Sequence, residues 1–280
     1  MEGPHLLDLR FLDEDQAIAA YLVETSDGPG LFDCGPATTL DALRAGLGAH
    51  GLRVGDLRHL LLSHIHLDHA GAAGALVAEH PDLTVWVSEL GAPHLADPSR
   101  LVASARRLFG EAFDRLWGEP EPVPERNLRV ATGDAAGWDA FPTPGHASHH
   151  VSYLREGTLL AGDACGVRIP PSTHVQPVSP PPDVDLDAWR RTVDELERRG
   201  PDRLALVHFG LFDDTAGHLR RLREGIELWS ERVRGGMAVD EFVAAANADA
   251  GEHASRYSSV FSVAMSYDGL RRYWDKREAA

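Results

Sequence analysis

The chain is almost without lysine. Of its 27 basic residues only Lys276 carries an ammonium group, so an anionic ligand must be held by guanidinium groups or by metal. Two cysteines, Cys34 and Cys165, are too few for a disulfide framework, though a single bridge between them stays open. An excess of positive charge is also missing: the formal charge of −16 argues against an extended polyanion, because nucleic acid is held chiefly by neutralising phosphates. No stretch approaches the roughly 18 apolar residues of a membrane span, and Met1-Glu2-Gly3-Pro4-His5 is not a basic region leading into an apolar run. These absences lead to the expectation of a cytoplasmic protein with a small-molecule substrate, and with neither nucleic acid nor membrane as partner. A homo-oligomer stays open. What the chain does have is 43% hydrophobic content over 280 residues, enough for one large domain or a domain with an appendage.

The pattern of apolar residues alternates between strand and helix in the manner of an α/β fold. Residues 18–24 and 30–33 read as strands joined at Ser26-Asp27-Gly28-Pro29, and Thr38 or Thr39 can cap a following helix. Residues 60–62 read as a short buried strand, 70–79 as a helix and 83–87 as another strand. Helical spacing over 99–117 predicts one amphipathic helix, ended by Pro120, Pro122 and Pro124. The period then returns to two, and 128–131, 138–141, 151–154 and 158–161 read as successive strands of a meander. Six prolines between 169 and 187 predict an irregular loop. After it come a helix over 186–199 and a strand over 204–208. From residue 213 onward the pattern is helical, with segments 219–233, 239–247 and 265–274. The late aromatics Trp229, Tyr257, Phe261, Tyr267, Tyr273 and Trp274 read as packing among these helices.

The run His64-Ile65-His66-Leu67-Asp68-His69 places three imidazoles and a carboxylate directly after an apolar strand. In extended backbone His64, His66 and Asp68 share a face while His69 turns to a neighbouring point. One metal could take the first two and a second could take Asp68 and His69. Three more metal-capable side chains, His146, Asp163 and His208, stand where predicted strands give way to loops, the position at which α/β folds place ligands. Imidazole and carboxylate without thiolate suit zinc, iron or manganese.

With these residues in this order, the chain resembles the metallo-β-lactamase superfamily. Its His-x-His-x-Asp-His signature is His64, His66, Asp68 and His69, and the later His, Asp and His match His146, Asp163 and His208, over residues 17 to 210. The resemblance implies an α/β (α+β) fold: an αββα sandwich with the site at one edge as a catalytic core over 1–210, and a C-terminal helical extension over 211–280 packed on it. It implies that His64, His66 and His146 hold one metal, that Asp68, His69 and His208 hold the other, and that Asp163 bridges them. The expected cofactors are two divalent transition-metal ions, zinc first, with iron or manganese as alternatives. Two cations sharing a water would depress its pKa and give a hydroxide nucleophile, with Asp68 as ligand and as the catalytic residue that orients it.

An aspartate at 163 resembles the glyoxalase II, lactonase and phosphodiesterase branches, where true β-lactamases carry cysteine. His66 stands where the flavo-diiron branch has glutamate. The implied activity is hydrolysis of an ester, thioester or lactone bond in a small molecule. A phosphodiesterase and a mononuclear-iron persulfide dioxygenase are the alternatives, and a non-catalytic metal-binding protein is a third. The ammonium contacts expected for glutathione in glyoxalase II are missing. His149 and His150 can donate a proton to a leaving group or support a ligand. His149 and His174 are candidate substrate contacts, and the proline-rich loop is expected to wall the pocket.

Overall fold

In the computed structural model, residues 3–260 and 262–279 are described. Met1, Glu2, Phe261 and Ala280, with the side chains of Ser259 and Val260, lie outside the described residues, and with them the packing expected of Phe261. Apolar runs bounded by turn residues form two six-stranded sheets. The first comprises β1 (His5–Asp8), β2 (Ala19–Thr25), β3 (Gly28–Phe32), β4 (His59–Leu61), β5 (Thr84–Val87) and β6 (Leu128–Val130), in that spatial order. β1, β2 and β3 are antiparallel; β3 through β6 run parallel. The second comprises β7 (Gly133–Ala135), β8 (Trp138–Pro142), β9 (Val151–Arg155), β10 (Thr158–Leu160), β11 (Arg203–Leu206) and β12 (Gly210–Phe212). β7 to β10 form an antiparallel meander, and β11 joins β10 in parallel.

Fully buried side chains fill the space between the sheets, among them Tyr21, Phe32, Leu61, Tyr153 and Leu160, while Leu22 and Leu60 on the other face of the first sheet belong to the same apolar cluster. A buried phenol needs a partner for its hydroxyl, and here two of them tie the layers together. Tyr21 Oη donates to Leu206 O at 2.7 Å, and Tyr153 Oη donates to Leu62 O at 2.8 Å. Both contacts lie at strand ends close to the histidine run. Helices Leu40–Ala49 and Ala73–Glu79 contribute Leu43, Leu47, Leu76 and Val77 to this core. A second apolar cluster joins the outer face of the second sheet, through Phe141, Leu159, Leu204 and Leu206, to helices Leu186–Arg199, Thr215–Arg234, Val239–Ala250 and Val263–Glu278. The layers are helix, sheet, sheet, helix, with a C-terminal helical region. Strand β12 begins at residue 210 and runs to Phe212, and the helices beyond it share their core with the second sheet.

Two expectations about these elements need correction. The 99–117 segment is two helices, Ser99–Phe109 and Phe113–Trp117, broken where Gly110 takes φ 53°. The strand at 128–130 belongs to the first sheet, not to the meander: the Asn127 amide donates to Pro81 O and Leu83 O, both at 2.8 Å, and ties β6 to the start of β5. The cysteines are both free and buried. No described helix is long and apolar enough to cross a membrane.

Candidate metal centre

β4 ends at Leu61, and the histidine run begins three residues later, at His64. It is extended only at its start. Leu67–Ala70 is a helical turn, which corrects the extended reading and sends the donor atoms of Asp68 and His69 to a different point from those of His64 and His66, while the His64 and His69 rings stay 4.1 Å apart. His64, His66 and His146 make one donor group; Asp68, His69, Asp163 and His208 make a second, and the donor atoms of each lie within 4.8 Å of one another. Two residues of the run fall in each group, His64 and His66 in the first and Asp68 and His69 in the second.

The donor atoms have the crowding that a cation relieves. His64 Nε2 lies 2.9 Å from His66 Nδ1, which lies 3.0 Å from His146 Nε2. His69 Nε2 and His208 Nε2 are 3.3 Å apart. Two nitrogens bound at about 2.05 Å to one tetrahedral ion stand about 3.3 Å apart. Asp163 sits between the groups. Its Oδ1 lies 3.3 Å from His69 Nε2 and 3.5 Å from His208 Nε2, and its Oδ2 lies 3.5 Å from His146 Nε2. Asp163 Oδ1 is buried without a hydrogen-bond partner among the described residues, a costly arrangement unless something else meets it. The residues present therefore fit a pair of divalent ions.

The outward ring nitrogens fix which nitrogen faces inward, as in other histidine metal sites. His146 Nδ1 donates to Val178 O and His208 Nδ1 donates to Ala17 O, each at 2.7 Å. His64 Nδ1 lies 2.9 Å from Ser63 Oγ. His69 Nδ1 lies 2.7 Å from Oδ2 of Asp33, a residue that sequence reasoning did not single out. Asp33 is completely buried and also accepts from Ser63 N and Ser63 Oγ, both at 2.7 Å. It stands at the end of β3 with φ 52°, a left-handed conformation that non-glycine residues adopt mainly where surroundings over-determine it. In sequence it is an aspartate directly after an apolar strand, which a turn residue would be as well.

The electrostatics divide the two groups. Burial, reinforced by the neighbouring imidazoles, pushes His64 well below its usual range; burial together with His146 and His149 does the same to His66. Neutral imidazoles offer the lone pairs that metal binding needs. In the second group burial works against ionised carboxylates, but His69 and His208 hold Asp68 down to about 2, and His69, His208 and His146 hold Asp163 well below the carboxylate range. Burial likewise opposes a charged His69, yet Asp163, Asp68 and Asp33 raise it well above its usual value.

Above the donors lies a cavity of about 440 Å³, onto which His66, Asp68, His146, Asp163 and His208 open. His149 lines it, with its ring 5.4 Å from that of His66 and Nδ1 buried and unpartnered among the described residues; burial lowers its pKa to about 4. His94, which the sequence reading passed over, lines it too. His150 serves differently: its Nε2 accepts from Asp163 N at 3.1 Å and its Nδ1 meets Thr143 Oγ1 at 2.8 Å, so it holds the turn that presents Asp163. The proline-rich loop reaches the cavity through Val178, Pro180, Pro181, Pro182 and Asp183. His174 is not brought there: its ring packs 5.2 Å from that of Tyr257, and its carbonyl accepts from Tyr257 Oη at 2.7 Å, which folds this end of the loop against helix Ala254–Val260.

The family model for the metallo-beta-lactamase superfamily matches residues 14–208, and the chain belongs to that superfamily. Among curated relatives, Bacillus subtilis YobT is 29% identical over 155 residues, 54% of this chain and 63% of that protein, so the chain spans less than two thirds of its length. The hydroxyacylglutathione hydrolase of Cronobacter sakazakii is 33% identical over 104 residues, 37% of this chain and 32% of that protein. Among solved structures, the archaeal superfamily protein ST1585 from Sulfolobus tokodaii shares the fold with a TM-score of 0.69 at 18% identity, over 97% of this chain and 99% of that one. TTHA1623, solved in a di-iron-bound form, is 27% identical with a TM-score of 0.56, over 73% of this chain and 93% of that one.

Proposed function

We propose that this protein is a metal-dependent hydrolase that uses two divalent ions to cleave an ester, thioester or lactone bond of a small molecule. The observation that carries the reading is Asp163, whose two oxygens face different donor groups. When bound, such a pair of ions supplies a Lewis acid for the reacting carbonyl and lowers the pKa of a water molecule. His64, His66 and His146 would hold one ion, and Asp68, His69 and His208 the other, with Asp163 shared. Asp68 faces both His69 and His208 through Oδ2, at 3.6 and 3.5 Å, and it opens onto the cavity floor. A carboxylate there can accept a hydrogen bond from a water and orient it toward a carbonyl carbon. His149 stands at the side of the same cavity, placed to hydrogen-bond a departing oxygen or sulfur.

Zinc is the first choice of ion, since the donors are imidazole and carboxylate alone; iron is the second, because TTHA1623 was solved with two irons. The complete second donor group favours two ions over the single iron of a persulfide dioxygenase. The test is elemental analysis of protein from its native host, followed by a panel of esters, lactones, thioesters and phosphodiesters. Cleavage of carbonyl substrates supports the reading. Cleavage of phosphodiesters alone, or oxygen uptake with one iron per chain, overturns it.

A further inference from the structure

Polar side chains away from the donor groups, among them Arg100, Ser104, Asp183 and Ser262, make up the lesser part of the cavity wall. Beyond the donor groups its walls are mostly hydrocarbon and aromatic: Leu101 and Leu108 come from helix Ser99–Phe109, Phe11 and Leu12 from the loop after β1, and Trp117 and Met265 close it. Phe11 and Trp117 stack with ring centroids 5.5 Å apart, a rigid aromatic surface. At the mouth, Leu12 and Leu108 keep 40% and 44% of their surface exposed. Large apolar side chains left uncovered around a cavity mark a binding surface more often than chance exposure. Among the described lining residues outside the donor groups, Arg100 and Asp183 are the formally charged ones, one of each sign. A cavity near 150 Å³ accepts benzene, so this one has room for an apolar body of about fifteen non-hydrogen atoms.

Resting on the hydrolase reading above, we infer that the substrate is an ester, thioester or lactone with an uncharged apolar acyl or alkyl body, its reacting carbonyl at the donor groups and its chain against helix Ser99–Phe109. Glutathione thioesters, with two carboxylates and an ammonium group, do not match these walls. Each fully buried methylene strengthens binding roughly fourfold, and about twofold when half-covered.

The metal-loaded protein is assayed against p-nitrophenyl acetate, butyrate, hexanoate and octanoate and against S-lactoylglutathione, while calorimetry follows 1-hexanol and 1-octanol binding to the same preparation. The inference expects kcat/KM to rise about twofold or more per methylene, at least roughly 50-fold from acetate to octanoate, with 1-octanol binding tighter than 1-hexanol. Leu108→Lys, a change at a half-exposed helix position, should reduce the octanoate-to-acetate preference at least about fivefold. Ala105→Phe, which fills the cavity, should shift the preferred ester to a shorter chain. Ester hydrolysis that is flat with chain length, or a preference for S-lactoylglutathione, overturns the inference and leaves the hydrolase reading standing. Alcohol binding that tightens with chain length, without hydrolysis of any ester, supports the apolar site and overturns the hydrolase reading instead.

Discussion

Asp33 Oδ2 lies 2.7 Å from His69 Nδ1 and, at the same distance, accepts from the hydroxyl of Ser63. The buried carboxylate fixes both the tautomer and the orientation of an imidazole whose other nitrogen faces Asp163 and His208. Outer carboxylates of this kind typically change metal affinity 10- to 100-fold. Asp33→Asn should weaken uptake at the second donor group by about that factor and leave uptake at His64, His66 and His146 largely intact. Calorimetric titration with zinc checks this; two unchanged binding constants would make Asp33 a packing residue.

Asp68 and His69 are neighbours with different expected losses. Asp68→Asn keeps an oxygen donor of nearly the same shape but removes the charge that the proposed mechanism uses to orient a water, so turnover should fall at least roughly 10²-fold with most metal retained. His69→Ala should lose much of the second ion, and activity should fall with occupancy. Metal content and turnover measured on the same preparations separate the two. Near-normal turnover of a fully loaded Asp68→Asn protein would make Asp68 a ligand only.

Gly145 holds φ 145°, and a Cβ there would stand 2.3 Å from Trp189 Cβ and 2.4 Å from Trp189 Cα. The residue that follows is His146. Gly145→Ala should cost about 2–5 kcal/mol of stability through backbone strain and overpacking and displace His146 from the first group. Chemical denaturation of the metal-free protein reads the first effect. A loss below about 1 kcal/mol would show that helix Leu186–Arg199 yields easily.

The strand ends were legible in the sequence because apolar runs met isolated His or Gly-Asp residues there, and His146, Asp163 and His208, which the structure brings beside the run His64 to His69, were singled out that way. What the run His64 to His69 hid was its own backbone: period-two reasoning predicted an extended segment, but Leu67 packs into the core at the start of a helical turn. Asp33 went unread because nothing in Phe32-Asp33-Cys34-Gly35 distinguishes a buried carboxylate from a turn residue; only the tertiary approach of Ser63 and His69 does. β7 and β12, three residues each, are too short to show a period. β6 joins the first sheet rather than the meander through a parallel ladder to β5 that three residues of sequence cannot announce, with the Asn127 amide holding its start. The fate of His174 rested likewise on one distant partner, Tyr257.

Acid should destabilise the metal-free protein well before its carboxylates titrate. Burial, with Arg168 and Arg221 adding to it, lowers His218 to about 4, against the pull of its hydrogen bond to Cys165 O. Its unfolded value is about 6.5. Between these values the unfolded chain binds the extra proton, so stability is full above about pH 6.5 and falls, by on the order of 3 kcal/mol for this group, as pH drops toward 4. His218→Gln, which keeps a donor for Cys165 O, should show a smaller drop in Tm between pH 7 and 4.5 than the parent protein. Equal drops would assign the acid sensitivity to other groups.

The most direct measurement is anomalous diffraction at the metal edge, on crystals of the metal-loaded protein, with elemental analysis of the same batch. Two ions per chain are expected, one among His64, His66 and His146 and the other among Asp68, His69 and His208, with an Asp163 oxygen on each. A single ion per chain at saturation, with His208 unligated, would contradict the two-ion centre.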